Sequence, residues 1–307
     1  MRRILIPIAG LLFAGSMTAR PDDLEDSYAK LQSAVAGKDA AQVKELSSKL
    51  CGLARAAAAK PAPPEESDKA LWEKQVAYAK ELESYSEYAL YATAIQSPPA
   101  ATVELMDALV AQNPKSKYLA MGYGLYLSSL DRSGQAARIP VVAQKGAASF
   151  PDDDDLQMVL AEYDVSRNQL VEAGPHAEKL LLILPRHPVP EGMSGPDWER
   201  KKEQALGRAY WIAGQAHSTK AEYNLADQDL RNALPRITAN GAMLAAAYFQ
   251  LGVANYHLGR QGMNATQVLE AASFSDKAAA IRGPYQQQAW TNANAMRREA
   301  AKMRGAK

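Results

Sequence analysis

Four histidines, one cysteine and a run of four aspartates are the side chains of this 307-residue chain most suited to chemistry. His176, His187, His217 and His257 are scattered, and none has a second ligand at a spacing that holds a metal. They are expected as polar surface or loop residues. Cys51 lies between Leu50 and Leu53 in a helical pattern, which suits a buried inert thiol, with an intermolecular disulfide as the alternative. The aspartates at 152–155 lack the alternating spacing, Gly and closing Glu of a calcium loop. They are expected to cap the helix that follows. Gly122-Tyr123-Gly124 is a fragment of a nucleotide-binding GxG, but it sits mid-helix, where small residues permit close helix crossing. Asn264-Ala265-Thr266 matches a glycosylation acceptor and is read as incidental. The sequence contains no HExxH helix, CxxC, Walker loop or nucleophile elbow. The expectation is a chain with no catalytic residues, no metal and no cofactor.

The elements that carry these residues read as all-α. Ala-rich segments of helical period alternate with Pro and Gly, which fall at the boundaries between them. Lys plus Arg number 35 against 34 Asp plus Glu, so no overall field attracts nucleic acid or an anionic membrane. The N-terminus runs from Met1-Arg2-Arg3 through an apolar stretch over 4–15 to small residues at Ser16 and Ala19, the layout of a secretory signal over 1–19. Cleavage fits after Ser16 or after Ala19. The apolar stretch falls short of the roughly twenty residues of a membrane span. A periplasmic or secreted location follows, with an uncleaved interfacial anchor as the alternative.

The chain also repeats itself. Leu206, Gly207, Ala209, Gly214, Ala226 and Ala233 recur as Leu251, Gly252, Ala254, Gly259, Ala271 and Ala278, one structural unit copied. Each copy reads as a helix closed by its second Gly, a turn about seven residues longer than usual, and a second helix. Ala161, Ala173, Ala177, Leu180 and Pro185 mark another unit; earlier ones are looser, from Leu24–Leu53 through Trp72–Asn113 to Tyr118–Phe150. This pattern resembles the tetratricopeptide repeat family. The resemblance implies a solenoid of stacked antiparallel helix pairs: N-terminal repeats over 20–187, a Pro/Gly-rich loop or hinge at 188–196, two long repeats over 197–283, and a capping helix and tail over 284–307.

In that family the first helix of each pair lines a binding groove. Carried over position by position, the resemblance implies a groove lined by Glu87 and Tyr91; Tyr118, Met121 and Leu125; Asp155, Met158 and Glu162; Lys201, Gln204, Arg208 and Trp211; and Phe249, Tyr256 and His257. Trp211 and Tyr256 are equally suited to packing between helices. The groove reads as acidic at Glu87, Asp155 and Glu162 and basic at Lys201 and Arg208. The implied function is a non-enzymatic scaffold that holds a segment of another protein; the alternative is an accessory repeat subunit of a cell-envelope protease or cell-wall hydrolase system.

Overall fold

The computed structural model describes residues 21–190 and 192–305; the export signal expected over 1–19 lies outside them. Thirteen α-helices and no strand occur among the described residues. They are α1 (Pro21–Ala36), α2 (Ala40–Ala58), α3 (Glu66–Ala94), α4 (Pro99–Gln112), α5 (Lys117–Arg132), α6 (Ile139–Ser149), α7 (Asp154–Ser166), α8 (Leu170–Ile183), α9 (Gly195–Thr219), α10 (Tyr223–Ala233), α11 (Gly241–Gln261), α12 (Ala265–Ala279) and α13 (Gln286–Gly305). None of them is long and apolar enough to cross a membrane.

The helix boundaries follow local chemistry. Asp39, Ser116, Asp153, Ser194, Asn240 and Asn264 are N-caps whose side chains accept a backbone N–H of the first turn. Pro99, Pro140 and Pro196 sit in first turns, where a missing N–H costs nothing. Pro175 departs from the expected boundary placement: it lies inside α8 and removes one intrahelical donor there.

The chain divides into two compact units, Met1–Ala136 and Ala137–Lys307. In the first, consecutive helices pack on one another, α1, α3 and α5 form one layer, and α2 and α4 form the other. In the second, consecutive helices again pack together, and α7, α9, α11 and α13 touch in sequence as one layer. Both units thus share consecutive helix-on-helix packing of a helical-repeat kind, with alternate helices in contact along one layer. The Pro/Gly-rich stretch at 188–196 lies within the second unit, between α8 and α9.

Small residues mark the places where paired helices cross, as their spacing predicts. Ala226, Ala233, Ala271 and Ala278 are fully buried. A methyl on Gly214 would lie 2.6 Å from Leu230, and one on Gly259 would lie 2.8 Å from Val268. Neither glycine closes its helix, however. The first helix of each copy continues to Thr219 or Gln261, and the turn is a single tight loop. The extra length of the 45-residue period therefore resides in α9 and α11, not in the turns.

One turn geometry recurs after five of the helices. Lys38, Gly134, Asn168, Ala221 and Met263 each adopt positive φ, between 48° and 74°. In every case the next N–H bonds the carbonyl five residues back: Asp39 to Ala34, Gln135 to Leu130, Gln169 to Asp164, Glu222 to His217 and Asn264 to Gly259. This is the left-handed helix stop that satisfies otherwise orphaned carbonyls. Only one of the five positions is glycine.

Candidate functional site

In the first unit the implied groove residues separate. Glu87 turns inward: it is 7% exposed and accepts a hydrogen bond from Asn113 Nδ2 at 2.8 Å, tying α3 to the end of α4. It contributes no charge to a surface. Tyr91 and Tyr118 stack with ring centroids 5.8 Å apart, while the Tyr91 ring packs over Gly122, where a methyl would come within 3.2 Å of it. Gly122 is therefore a crossing residue between helices, as expected. Met121 is 55% exposed, and Leu125 is half-buried.

Around these residues lies an aromatic face that the sequence reading passed over. Tyr28 of α1 meets Tyr85 of α3 edge-on at 4.9 Å; Tyr85 lies 6.1 Å from Tyr88; Tyr88 lies 5.7 Å from Tyr118 of α5. Lys117 Nζ sits 5.0 Å from the Tyr118 ring. Burial pushes the Tyr85 hydroxyl up to about 12, and burial also raises those of Tyr28 and Tyr78. Tyr28, Tyr85, Tyr91 and Tyr118 are half-buried, and Tyr88 is 40% exposed. The signal was present as Tyr78, Tyr85, Tyr88 and Tyr91 at steps of seven, three and three, but such steps serve a core stripe equally well.

In the second unit the implied charges neutralise one another. Asp155 accepts from Lys201 Nζ at 3.3 Å, and Glu162 takes two N–H bonds from the Arg208 guanidinium, joining α7 to α9. Arg208 in turn covers Trp211, with its guanidinium carbon 4.6 Å from the ring centroid. Trp211 is wedged between helices: Nε1 donates to the Met243 carbonyl at 3.1 Å, and its ring packs among residues of α8, α9 and α11. Met158 packs against Leu180, Leu184 and Trp198. Tyr256 packs against Val268, Ala271 and Met296. Phe249 lies 4.9 Å from Tyr285, and His257 is exposed and stacked on Tyr223 at 4.3 Å. Gln204 is exposed.

No family model matches the chain, and neither a curated protein nor a solved structure matches it. The site is therefore read from its own chemistry.

The remaining reactive side chains are held by structure. Asp153 caps α7 by accepting from Leu156 N at 3.0 Å, and burial raises its carboxyl to about 6. Asp152 pairs with Lys179, and Asp154 lies 3.6 Å from His187 Nε2. Cys51 is buried, and burial raises its thiol. His176 Nδ1–H donates to Gln157 Oε1 at 2.7 Å, and burial lowers its pKa.

His217 corrects the expectation of a surface histidine. It is 8% exposed at the end of α9, 2.6 Å from Glu222, 3.4 Å from Asp229 and 3.6 Å from Glu178. The helical stripe of α9 carries it inward, where carboxylates from its neighbours meet it. Burial raises Asp229 to about 6 despite the imidazole beside it. Among the described residues, no group of three or more His, Cys, Asp or Glu side chains is arranged to hold a metal ion. Among the described residues, the tyrosines of α1, α3 and α5 form a continuous strip of rings, exposed at Tyr88, that offers apolar contact area.

Proposed function

We propose that this protein is an exported, non-enzymatic interaction scaffold whose helix pairs form tetratricopeptide-like solenoids. The first-helix layer of its first unit binds a segment of another protein. The observation that carries this reading is the run of tyrosine rings from Tyr28 through Tyr85 and Tyr88 to Tyr118 and Tyr91, in contact across three neighbouring helices. Tyrosine supplies large, rigid contact area with a polar edge at low conformational-entropy cost, the composition of binding hot spots. Exposed Met121, one turn beyond Tyr118, adds an adaptable apolar contact. In the second unit the paired charges and wedged Trp211 support a role in holding α7, α9 and α11 together, so the binding face is assigned to the first unit.

The test is in-cell photo-crosslinking from position 88, with a probe at exposed Lys49 on α2 as the control. A discrete protein adduct at 88 that is absent at 49 and lost on Tyr118→Ala supports the reading. Truncating one central ring is expected to weaken binding by about 10-fold or more, the effect of a hot-spot aromatic. Helix content unchanged by circular dichroism, with no adduct at 88, sinks the assignment.

A further inference from the structure

The first and last described helices, one in each unit, carry exposed side chains of opposite charge. Helix α1 holds three exposed carboxylates, Asp23, Glu25 and Asp26, against one lysine, Lys30. Helix α13 holds four cations, Arg297, Arg298, Lys302 and Arg304, against one carboxylate, Glu299. Internal pairing sharpens the contrast. Glu299 is drawn to Arg260 at 3.8 Å, and Arg297 is drawn to Asp276. Arg298, Lys302 and Arg304 stay exposed, with no ion partner among the described residues. On α1, Asp23, Glu25 and Asp26 are exposed, and the nearest cation to Asp26 is Lys30 at 4.0 Å.

The two helices are also complementary in relief. The inner side of α13 is Ala289, Ala293, Met296 and Ala300, all buried. Away from that side stands Trp290, 59% exposed on an otherwise polar helix. The inner side of α1 is Ser27, Leu31 and Ala34, all buried, which leaves Asp26, Ala29 and Ser33 on the far side. The Ser33 hydroxyl folds back to donate to the Ala29 carbonyl at 3.1 Å. An acidic helix with a low, small-residue stripe offers a seat for a bulky indole flanked by cations. Trp290 thus stands apart from the side by which α13 packs on Val268, Ala271 and Ala272 of α12.

We propose that copies of this chain associate head to tail, with the outer face of α13 in one copy seated on the outer face of α1 in the next. The interface is heterologous, so association continues beyond a pair unless the rotation between copies closes a ring. Its attraction is between exposed charges, so it weakens as the Debye length shrinks. The inference stands apart from the tyrosine face, which neither uses nor requires these residues.

The protein is expressed as residues 1–307 and purified in the form in which it accumulates. Sedimentation velocity is then run over a concentration series at roughly 20 mM and roughly 500 mM salt. Three proteins are compared: the parent; an α13-reversed variant, Arg298→Glu/Lys302→Glu/Arg304→Glu; and an α1-reversed variant, Asp23→Lys/Asp26→Lys. The parent is expected to self-associate at low salt and to bind itself about 10-fold or more weaker at high salt. Each variant, with circular dichroism like the parent, is expected to remain a monomer. An equimolar mixture of the two variants is expected to associate again, because each reversed face then meets its complement. A parent that is monomeric at low salt overturns the proposal, as does association that survives either reversal or a mixture that stays monomeric.

Discussion

Replacing Gly259 with alanine puts the helix-crossing argument at risk in one measurement. In an open helix interior this substitution is favourable by about 1 kcal/mol, because alanine has the higher propensity. At Gly259 the new methyl would stand 2.8 Å from Val268 Cγ2, 2.9 Å from Val268 N and 3.2 Å from the Asn264 carbonyl oxygen. Two of those three atoms are backbone, in the first turn of α12. They cannot rotate away. Val268 is itself fully buried among Ala271, Ala272 and Met296, so its methyl has little room to retreat. Asn264, meanwhile, caps Thr266 and Gln267 while its own N–H bonds the Gly259 carbonyl at 2.7 Å. Backing α12 away by several tenths of an ångström therefore combines overpacking, about 1–3 kcal/mol, with a weakened cap, about 1 kcal/mol. After the propensity gain, the expected net loss is about 2 kcal/mol. The control is Gly241→Ala at the start of α11 in the same unit, where an added methyl meets nothing within 4 Å. Its expected effect is within about 0.5 kcal/mol. Urea unfolding followed by circular dichroism reads both. The Gly259→Ala/Val268→Ala double variant is expected to lose about 1 kcal/mol less than the two single losses summed, because the Val268 methyl is one of the clashing groups. A Gly259→Ala protein as stable as the parent would refute the close crossing.

Two further outcomes follow from the turns and the buried carboxylates. Ala221 holds φ of 60° with no glycine to ease it, so Ala221→Gly is expected to stabilise the second unit by about 1 kcal/mol, read as a higher urea midpoint. Loss of stability would mean that the left-handed turn is not strained there. Asp229 has its carboxyl raised by burial from 3.8 to about 6. The folded state therefore binds this proton more tightly than the unfolded chain, and stability falls as pH rises through that interval. Asp229→Asn is expected to match the parent near pH 4 and to exceed it above pH 7 by up to about 3 kcal/mol, the shift converted at 1.36 kcal/mol per unit. Unfolding curves at the two pH values decide it, and a variant that is weaker at pH 7 would show that the His217 pairing outweighs desolvation.

Much of this protein was legible one residue at a time. Helix boundaries depend on caps, prolines and the i, i+3, i+4 stripe, all short-range, so reading α3 from the pattern at Trp72, Val76 and Leu82 and ending α4 at Asn113-Pro114 needed only neighbouring residues. Ala226, Ala233, Ala271 and Ala278 announced close crossings because only small side chains fit there. Tertiary structure decided the rest. Gly134 and Asn168 have side chains that favour the left-handed conformation, but Lys38, Ala221 and Met263 adopt it without that preference. At those three turns the packing of the two joined helices imposes the φ, so residue type does not reveal it. Glu87 looked like a groove charge until Asn113, from the next helix, drew it inside. Asp155 and Glu162 looked acidic, and Lys201 and Arg208 basic, until stacking α7 on α9 paired residues forty-six apart and removed both fields. The tyrosine face exists only because α1, α3 and α5 lie side by side, bringing Tyr28, Tyr88 and Tyr118 into one strip. Periodicity says which side of a helix is apolar; only the neighbouring helix determines whether that side is core or surface.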